Sequence, residues 1–252
     1  MADQKSQAPK ADKDYTDAEL TKMFRDSVKR APDYIRKHID INRIRAVNAS
    51  GQNPADYASA DQKEAVNNKD AIADVRDGSR TVVHIYRPSE FAKDPDQISG
   101  HEAVHFIQNG LPDNLKDKFA PVNPQDPYGY GGNAGIAADA KAGKPIESLS
   151  PEQQAALAQY SIAFDKFADQ PTATGGAGSG VPTAAQQDWA KNRTAYDHYT
   201  QQIANWPQKP YSEDTEPIIR DDDPRLKIDV DLSPSLFMHG SHSTTNPGTL
   251  RY

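Results

Sequence analysis

The stretch from His101 to His105 carries the residue types and spacing of a metal-dependent hydrolase. It reads His-Glu-Ala-Val-His. On a helix, imidazoles at positions i and i+4 project side by side, and such a pair can hold a zinc ion. Glu102 points roughly 100° away from His101 and can hold a water molecule as a general base. The motif therefore predicts a zinc site with hydrolytic chemistry.

The residues around the motif predict a helix preceded by a strand. Asp94-Pro95-Asp96 is a typical helix start, because acidic side chains are favoured near the positive end of the helix dipole, and Asn109-Gly110 is a typical stop. Upstream, residues 80–87 are rich in β-branched and aromatic side chains and end at Pro88. The motif is thus expected on a helix that follows a strand.

A zinc site that keeps one position open for water needs three protein ligands. The chain has no cysteine, so only imidazole and carboxylate groups remain as strong ligands. From the residues alone the third ligand stays open. The candidates are Glu152, Asp126 in a Pro-, Tyr- and Gly-rich loop, and His198, although a single downstream histidine is more often structural.

Glu152 lies at the start of the clearest helix after the motif. Ser150 is a good N-cap, Pro151 occupies the first helical position and Gln153 completes a capping box. A carboxylate in the first turn is favoured by the helix dipole whatever its function. The pattern therefore predicts the helix but assigns no role to Glu152.

From about residue 80 to residue 168 the chain resembles a bacterial family of metallopeptidase-like domains that are similar to gluzincins. Four segments carry the resemblance in the same order: His-Glu-x-x-His-x-x-Gln at 101–108, Tyr-Gly-Tyr at 128–130, Gly-Lys-Pro at 143–145 and Glu-Gln-Gln-Ala at 152–155. Such domains occur near or within secretion-associated and toxin-like proteins. The resemblance implies a zincin-like fold and a peptide or protein substrate.

The resemblance also implies roles for individual residues. Glu152 becomes the third ligand of one Zn²⁺ ion beside His101 and His105, and Glu102 becomes the general base of peptide hydrolysis. Gluzincins often carry an aspartate four residues after the ligand glutamate to orient a histidine, and this chain has Ala156 there. Another group must then orient the imidazoles, and the candidates are Asp139, Asp165 or a backbone carbonyl.

Two further parts of a peptidase site are expected. A substrate could add as an extra strand along the predicted strand, at Val82, Val83, His84 and Ile85. A donor to the transition state has no obvious candidate, and Tyr160, Tyr196 and His198 are the best available. Because this donor is not evident, the alternative function is a non-catalytic zincin-like binding or delivery-associated module of a secretion or toxin system.

The composition predicts one domain with polar loops and frayed ends. Of the 252 residues, 36% are hydrophobic, which is low for a chain with a large core. We expect a disordered tail at 1–14, a mostly helical α+β zincin-like domain at 15–206 with a small sheet beside the metal-binding helix, and a Pro-rich acidic extension at 207–252 that packs on or trails from the domain. Helices are expected at 16–30, 33–46, 60–73 and 184–205, and a strand at 226–232.

Charge and hydropathy limit the partners. The net charge of −7, with dispersed Lys and Arg, gives no basic surface for nucleic acid. No apolar run approaches the 18 or so residues of a membrane span, and the polar N-terminus shows no signal peptide. The sequence leaves the location open between the cytoplasm and export by a leaderless route.

Overall fold

The computed structural model describes residues 10–53, 71–76, 78–123, 133–168 and 184–211. Within these ranges the chain is mostly helical with one three-stranded sheet, so the predicted α+β class is confirmed. The strands are β1 (Arg45–Asn48), β2 (Ala73–Asp74) and β3 (Val82–Ile85). The helices are α1 (Asp17–Arg30), α2 (Asp33–Arg36), α3 (Pro88–Phe91), α4 (Pro95–Asn109), α5 (Asp113–Lys116), α6 (Asn133–Lys141), α7 (Pro151–Ala168) and α8 (Ala184–Ala204).

Helix α1 forms where its sequence predicts it. Thr16 is the N-cap: its side chain accepts from the backbone N–H of Glu19, whose carboxylate accepts from the backbone N–H of Thr16. This capping box satisfies donors that the first turn leaves open. The apolar stripe of Leu20, Phe24 and Val28 is buried and packs the helix against β1 and α4. Helix α1 thereby supports α4, the helix that carries the His-Glu-Ala-Val-His motif.

The sheet has the order β1-β3-β2, with β1 parallel and β2 antiparallel to β3. The predicted strand at 80–87 is β3, and it lies in the centre of the sheet. His84 and Ile85 pair with Asp74 and Ala73 on one side and with β1 on the other. At His84 and Ile85 the prediction that a substrate pairs along β3 is therefore wrong, because both neighbouring positions are occupied. For Val82 and Val83, which pair only with β1, it stays a prediction. The strand with an outer edge on this side is β2.

Helix α4 carries the His-Glu-Ala-Val-His motif and packs along α7. Asp94 caps it by accepting from the backbone N–H of Gln97, and the helix ends at Asn109, as the sequence predicted. Gly100 lies in the contact with α7, where a Cβ atom would overlap Ile162 Cδ1. The absence of a side chain at Gly100 thus lets the two helices approach closely immediately before His101.

Some predicted elements differ from the structure. The helix expected at 33–46 stops at Arg36, and its second half forms a 3-10 turn at Ile41–Arg43 and then β1. The β-branched and apolar residues of this segment suit a strand once β3 offers a parallel partner. Residues 10–14, expected in the tail, include a 3-10 turn at Asp12–Asp14, and Asp12 accepts from the backbone N–H of Ser89.

The first residues of the C-terminal extension pack against the domain. The backbone N–H of Lys209 donates to the carbonyl of Gly110, and the Arg80 guanidinium donates to the carbonyls of Lys209 and Pro210. Residues 212–252, with the predicted strand at 226–232, lie outside the described residues, as do residues 60–70 of the helix expected at 60–73. The last residues of that prediction are wrong, since residues 71 and 72 are not helical and Ala73 begins β2. Among the helices of the described ranges, none is long and apolar enough to cross a membrane.

Gly100→Ala should destabilise the protein although alanine favours helix formation by about 1 kcal/mol. The new methyl group overlaps Ile162, and overpacking of this kind costs about 1–3 kcal/mol. Ile162→Val removes the overlapping Cδ1 atom, so the double variant should recover most of the loss. Urea unfolding of the wild type, both single variants and the double variant measures the coupling. Purely additive effects would contradict a direct contact between the two positions.

His84 should make the metal-free fold sensitive to mild acid. Burial, with Arg76 and Arg45 nearby, lowers the pKa of His84 to about 4 from about 6.5. Between these two values the unfolded chain binds a proton that the folded chain does not, so stability falls as the pH drops from 6.5 to 4. After solvent screening the loss is on the order of 1–2 kcal/mol. Urea midpoints of the metal-free His84→Gln variant should fall less steeply over this range, and parallel curves would contradict the assignment.

Candidate metal centre

Two helices bring three ligand atoms together. His101 and His105 lie one turn apart on α4, and Glu152 lies in the first turn of α7. Their atoms lie 3.2 Å apart for the two Nε2 atoms, 3.4 Å from His101 Nε2 to Glu152 Oε2, and 3.6 Å from His105 Nε2 to Glu152 Oε2. This group, which is well shielded from solvent, could hold a metal ion.

The distances fit the coordination of a small divalent metal. Zinc binds nitrogen and oxygen ligands at about 2.0–2.1 Å in a tetrahedral arrangement, and this implies about 3.3 Å between neighbouring ligand atoms. The three observed distances of 3.2, 3.4 and 3.6 Å lie close to that value. One face of a tetrahedron is thus formed by the protein, and the fourth corner has no protein ligand among the described residues.

Glu152 is positioned by the start of α7. The Ser150 side chain accepts from the backbone N–H of Gln153, and the Gln153 side chain accepts from the backbone N–H of Ser150. This is the capping box that the sequence predicted, and it fixes where the first turn begins. The carboxylate of Glu152 then projects from the first turn towards the histidines of α4.

A glutamine side chain orients the imidazole of His105. His105 Nδ1 hydrogen-bonds to Gln108 Oε1 at 2.7 Å, and Gln159 lies close enough to His101 to influence the pKa of that ring. The sequence offered Asp139, Asp165 or a carbonyl for this role. Asp139 instead pairs with Lys144, and the side chain of Asp165 lies outside the described residues. Position 108 is one turn after His105, so the helical spacing could have revealed Gln108.

The electrostatics of the group favour a cation at its centre. The Glu152 carboxylate, helped by Glu102, outweighs burial and raises the pKa of His105 to about 10. Burial is the largest influence on Glu152, but His105 and His101 overcome it and hold the pKa of this carboxyl well below its usual range. Burial lowers the pKa of His101. Without metal, a proton on His105 balances the charge of Glu152, and a bound metal would displace that proton.

Glu102 is buried beside the three ligands but is separate from them. Glu102 is 3% exposed, and its Oε2 atom makes no hydrogen bond to any described residue. Burial, with smaller contributions from Asp74 and Glu152, raises the pKa of Glu102 to about 8, while the charge of His105 and a hydrogen bond from the Val75 backbone oppose the shift. A buried carboxyl with a free oxygen and a raised pKa is typical of a group that exchanges protons.

The sheet brings two further polar residues close to the ligand group. Asp74 lies on β2, and its carboxylate accepts a long hydrogen bond of 3.4 Å from the Tyr86 hydroxyl. Burial raises the pKa of Asp74, and the charges of His105 and Glu152 both act on it. Burial, with Asp74 and Glu102 nearby, also raises the pKa of Tyr86. Asp74 on β2 and Tyr86, which directly follows β3, therefore lie together near the ligand group, a placement that only the sheet topology determines.

The remaining sequence candidates lie as follows. Tyr196 is buried in the hydrophobic core, and His198 is exposed on α8 beside Gln202. Tyr160 is partly buried on α7. Their roles as transition-state donors stay predictions. Asp126, the alternative ligand, lies outside the described residues, and His198 is not in the metal-ligand group that the structure brings together.

Comparisons with models of protein families, with curated proteins and with solved structures give no match to this chain. The resemblance to gluzincin-like domains therefore rests on the motifs of the sequence alone.

Metal binding should depend on all three ligands. We expect the purified wild type, after incubation with zinc and removal of excess metal, to hold one equivalent, and His101→Ala and Glu152→Ala to lose it or bind far more weakly, because two ligands cannot form a stable buried site. Elemental analysis measures the content. Glu147→Gln is the matched control, since Glu147 precedes α7 outside the ligand group and should leave the zinc content unchanged. Full zinc content in Glu152→Ala would exclude Glu152 as the third ligand.

Proposed function

We propose that this protein is a zinc-dependent peptidase. The observation that carries the proposal is the convergence of His101, His105 and Glu152 within coordination distance of one centre, with the buried carboxyl of Glu102 on the same helix. Two imidazoles and one carboxylate with an open position are the ligand set of several catalytic zinc sites. The same ligands suit other divalent metals, and the adjacent Glu102 favours hydrolysis over redox chemistry.

In the proposed mechanism His101, His105 and Glu152 hold the metal, and Glu102 transfers protons. When bound, zinc would acidify a water molecule and polarise a carbonyl group. Glu102 takes the proton of the attacking water and passes it to the leaving amine, as a general base and then a general acid. The positive charge of a metal held by the three ligands would lower the pKa of Glu102 from the metal-free value of about 8, so the carboxylate form would be available near neutral pH.

The outer edge of β2 is the proposed substrate-binding strand. β2 ends the described sheet and contacts α4, and the backbone of Val75, which follows it, hydrogen-bonds to Glu102. Backbone groups of an edge strand are free to bind another strand. An extended peptide that pairs with this edge would pass the ligand group, because β2 contacts α4. This replaces β3 as the expected partner of the substrate. The substrate class is a peptide or an unfolded protein segment.

Tyr86 joins the candidates for transition-state stabilisation. Its hydroxyl contacts Asp74, and Glu102 lies close enough to help raise its pKa, whereas Tyr196 lies in the core. A hydroxyl that donates to a developing oxyanion typically contributes about 3 kcal/mol. Tyr86 is therefore a stronger candidate than Tyr196.

Glu102→Gln should keep zinc and lose activity. The amide cannot accept the proton of water, and removal of a general base typically slows the reaction about 10²–10⁴-fold. The zinc-loaded protein is incubated with a mixed library of unstructured peptides, and mass spectrometry follows the new termini. The zinc content of the variant, measured in parallel, should stay at one equivalent.

Glu90→Gln is the matched control for this experiment. Glu90 lies on α3 and forms an exposed ion pair with Lys93. Loss of this ion pair should change neither zinc content nor cleavage. Equal cleavage by the wild type and Glu102→Gln would remove Glu102 from the mechanism. A zinc-loaded wild type that cleaves no peptide would contradict the peptidase proposal and favour the alternative, a non-catalytic binding module.

A further inference from the structure

A chain of amide groups leads from the ligand His105 to backbone carbonyls at the start of α7. Gln108 Nε2 donates to the carbonyl of Pro151 at 2.9 Å and to Gln154 Oε1 at 2.8 Å. Gln154 Nε2 in turn donates to the carbonyls of Ile146 at 3.0 Å and Leu149 at 3.3 Å. Gln154 is fully buried, and it does not ligate or touch the metal group itself.

The direction of every hydrogen bond in this chain is determined. Backbone carbonyls only accept, so the Gln154 amide must turn its NH₂ group towards Ile146 and Leu149 and its oxygen towards Gln108. Gln108 must then turn its NH₂ group towards Gln154 and Pro151, which leaves its oxygen facing His105 at 2.7 Å. Rotating either amide would place two acceptors, or two donors, against each other in a buried space.

The directions of these hydrogen bonds determine the tautomer of His105. An oxygen facing Nδ1 requires that Nδ1 carries the proton, and the lone pair of the neutral ring is then on Nε2, which faces Glu152 and His101. We infer that Gln154, acting through Gln108, is a positioning residue that holds His105 in the tautomer and ring orientation needed to bind metal. The inference rests on the metal-binding part of the proposed function and is independent of peptide cleavage.

These hydrogen bonds also hold Glu152 and His105 in a fixed position relative to each other. Pro151, whose carbonyl anchors Gln108, is the residue before Glu152, and Gln154 lies two residues after it. The glutamine chain therefore links the orientation of a ligand on α4 to the same turn of α7 that presents the third ligand. A shift of α7 would disturb both together.

The test is a double-mutant cycle on zinc affinity. Zn²⁺ binding is measured by competition with a chelating dye for the wild type, Gln108→Leu, Gln154→Leu and the double variant. Loss of a group that orients a metal ligand typically weakens affinity 10–100-fold, so Gln108→Leu should fall in this range. Gln154→Leu, which leaves the Pro151 anchor in place, should weaken affinity about 3–10-fold. The double variant should bind zinc no more weakly than Gln108→Leu, because Gln154 acts only through Gln108.

A spectroscopic measurement separates positioning from general destabilisation. In the zinc-loaded wild type, the His105 Nδ1–H proton should give a resolved NMR signal that exchanges slowly with water, because Gln108 holds it. The signal should exchange faster in Gln154→Leu. Gln202→Leu is the matched control: Gln202 accepts from the backbone N–H of Ile146, next to the same segment, without contacting Gln108 or Gln154. It should change neither the zinc affinity nor the exchange rate.

The outcomes decide the inference separately from the peptidase proposal. Unchanged zinc affinity in Gln154→Leu, or a loss in the double variant equal to the sum of the single losses, would overturn it. An equal loss in Gln202→Leu would also overturn it, since any damage to this segment would then have the same effect. The non-additive pattern would support it even if the zinc-loaded wild type cleaved no peptide.

Discussion

The close packing of α4 against α7 is the constraint on which the site depends. It places ligands from two helices within 3.2–3.6 Å of one another, although they lie about fifty residues apart in the chain. Gly100 allows this approach next to His101, and the capping box at Ser150 fixes the turn that carries Glu152. A metal site of this kind tolerates little displacement, because ligand distances are fixed to within about 0.2 Å.

The burial of charge makes the site dependent on a cation. Two neutral imidazoles with their lone pairs on Nε2 and a carboxylate oxygen facing them would repel one another, and burial excludes the water that would screen this repulsion. In the metal-free protein a proton on His105 relieves the repulsion, since its pKa is raised to about 10. Metal and proton therefore compete for one position, while Glu102, beside them, keeps a carboxyl whose protonation responds to the same charges.

The sheet contributes in a way that differs from the helices. α1 and the buried core pack against α4, whereas the sheet brings Asp74 and Tyr86 close to one another and near Glu102. β2 has only one strand neighbour in the described sheet, so no described strand pairs with its outer edge.

The sequence by itself determined the local features: the caps at Thr16, Asp94 and Ser150, the extent of α4, and the pair of histidines one turn apart, since each depends on residues within a few positions of one another. Only the tertiary structure decided the rest. It moved the second half of the segment at 33–46 into β1, because a strand there needs a distant partner in β3, and it placed β3 in the centre of the sheet. It also placed Gln108 against His105 and Gln154 against Gln108, since a glutamine side chain gains a role only from the groups that the fold places opposite it.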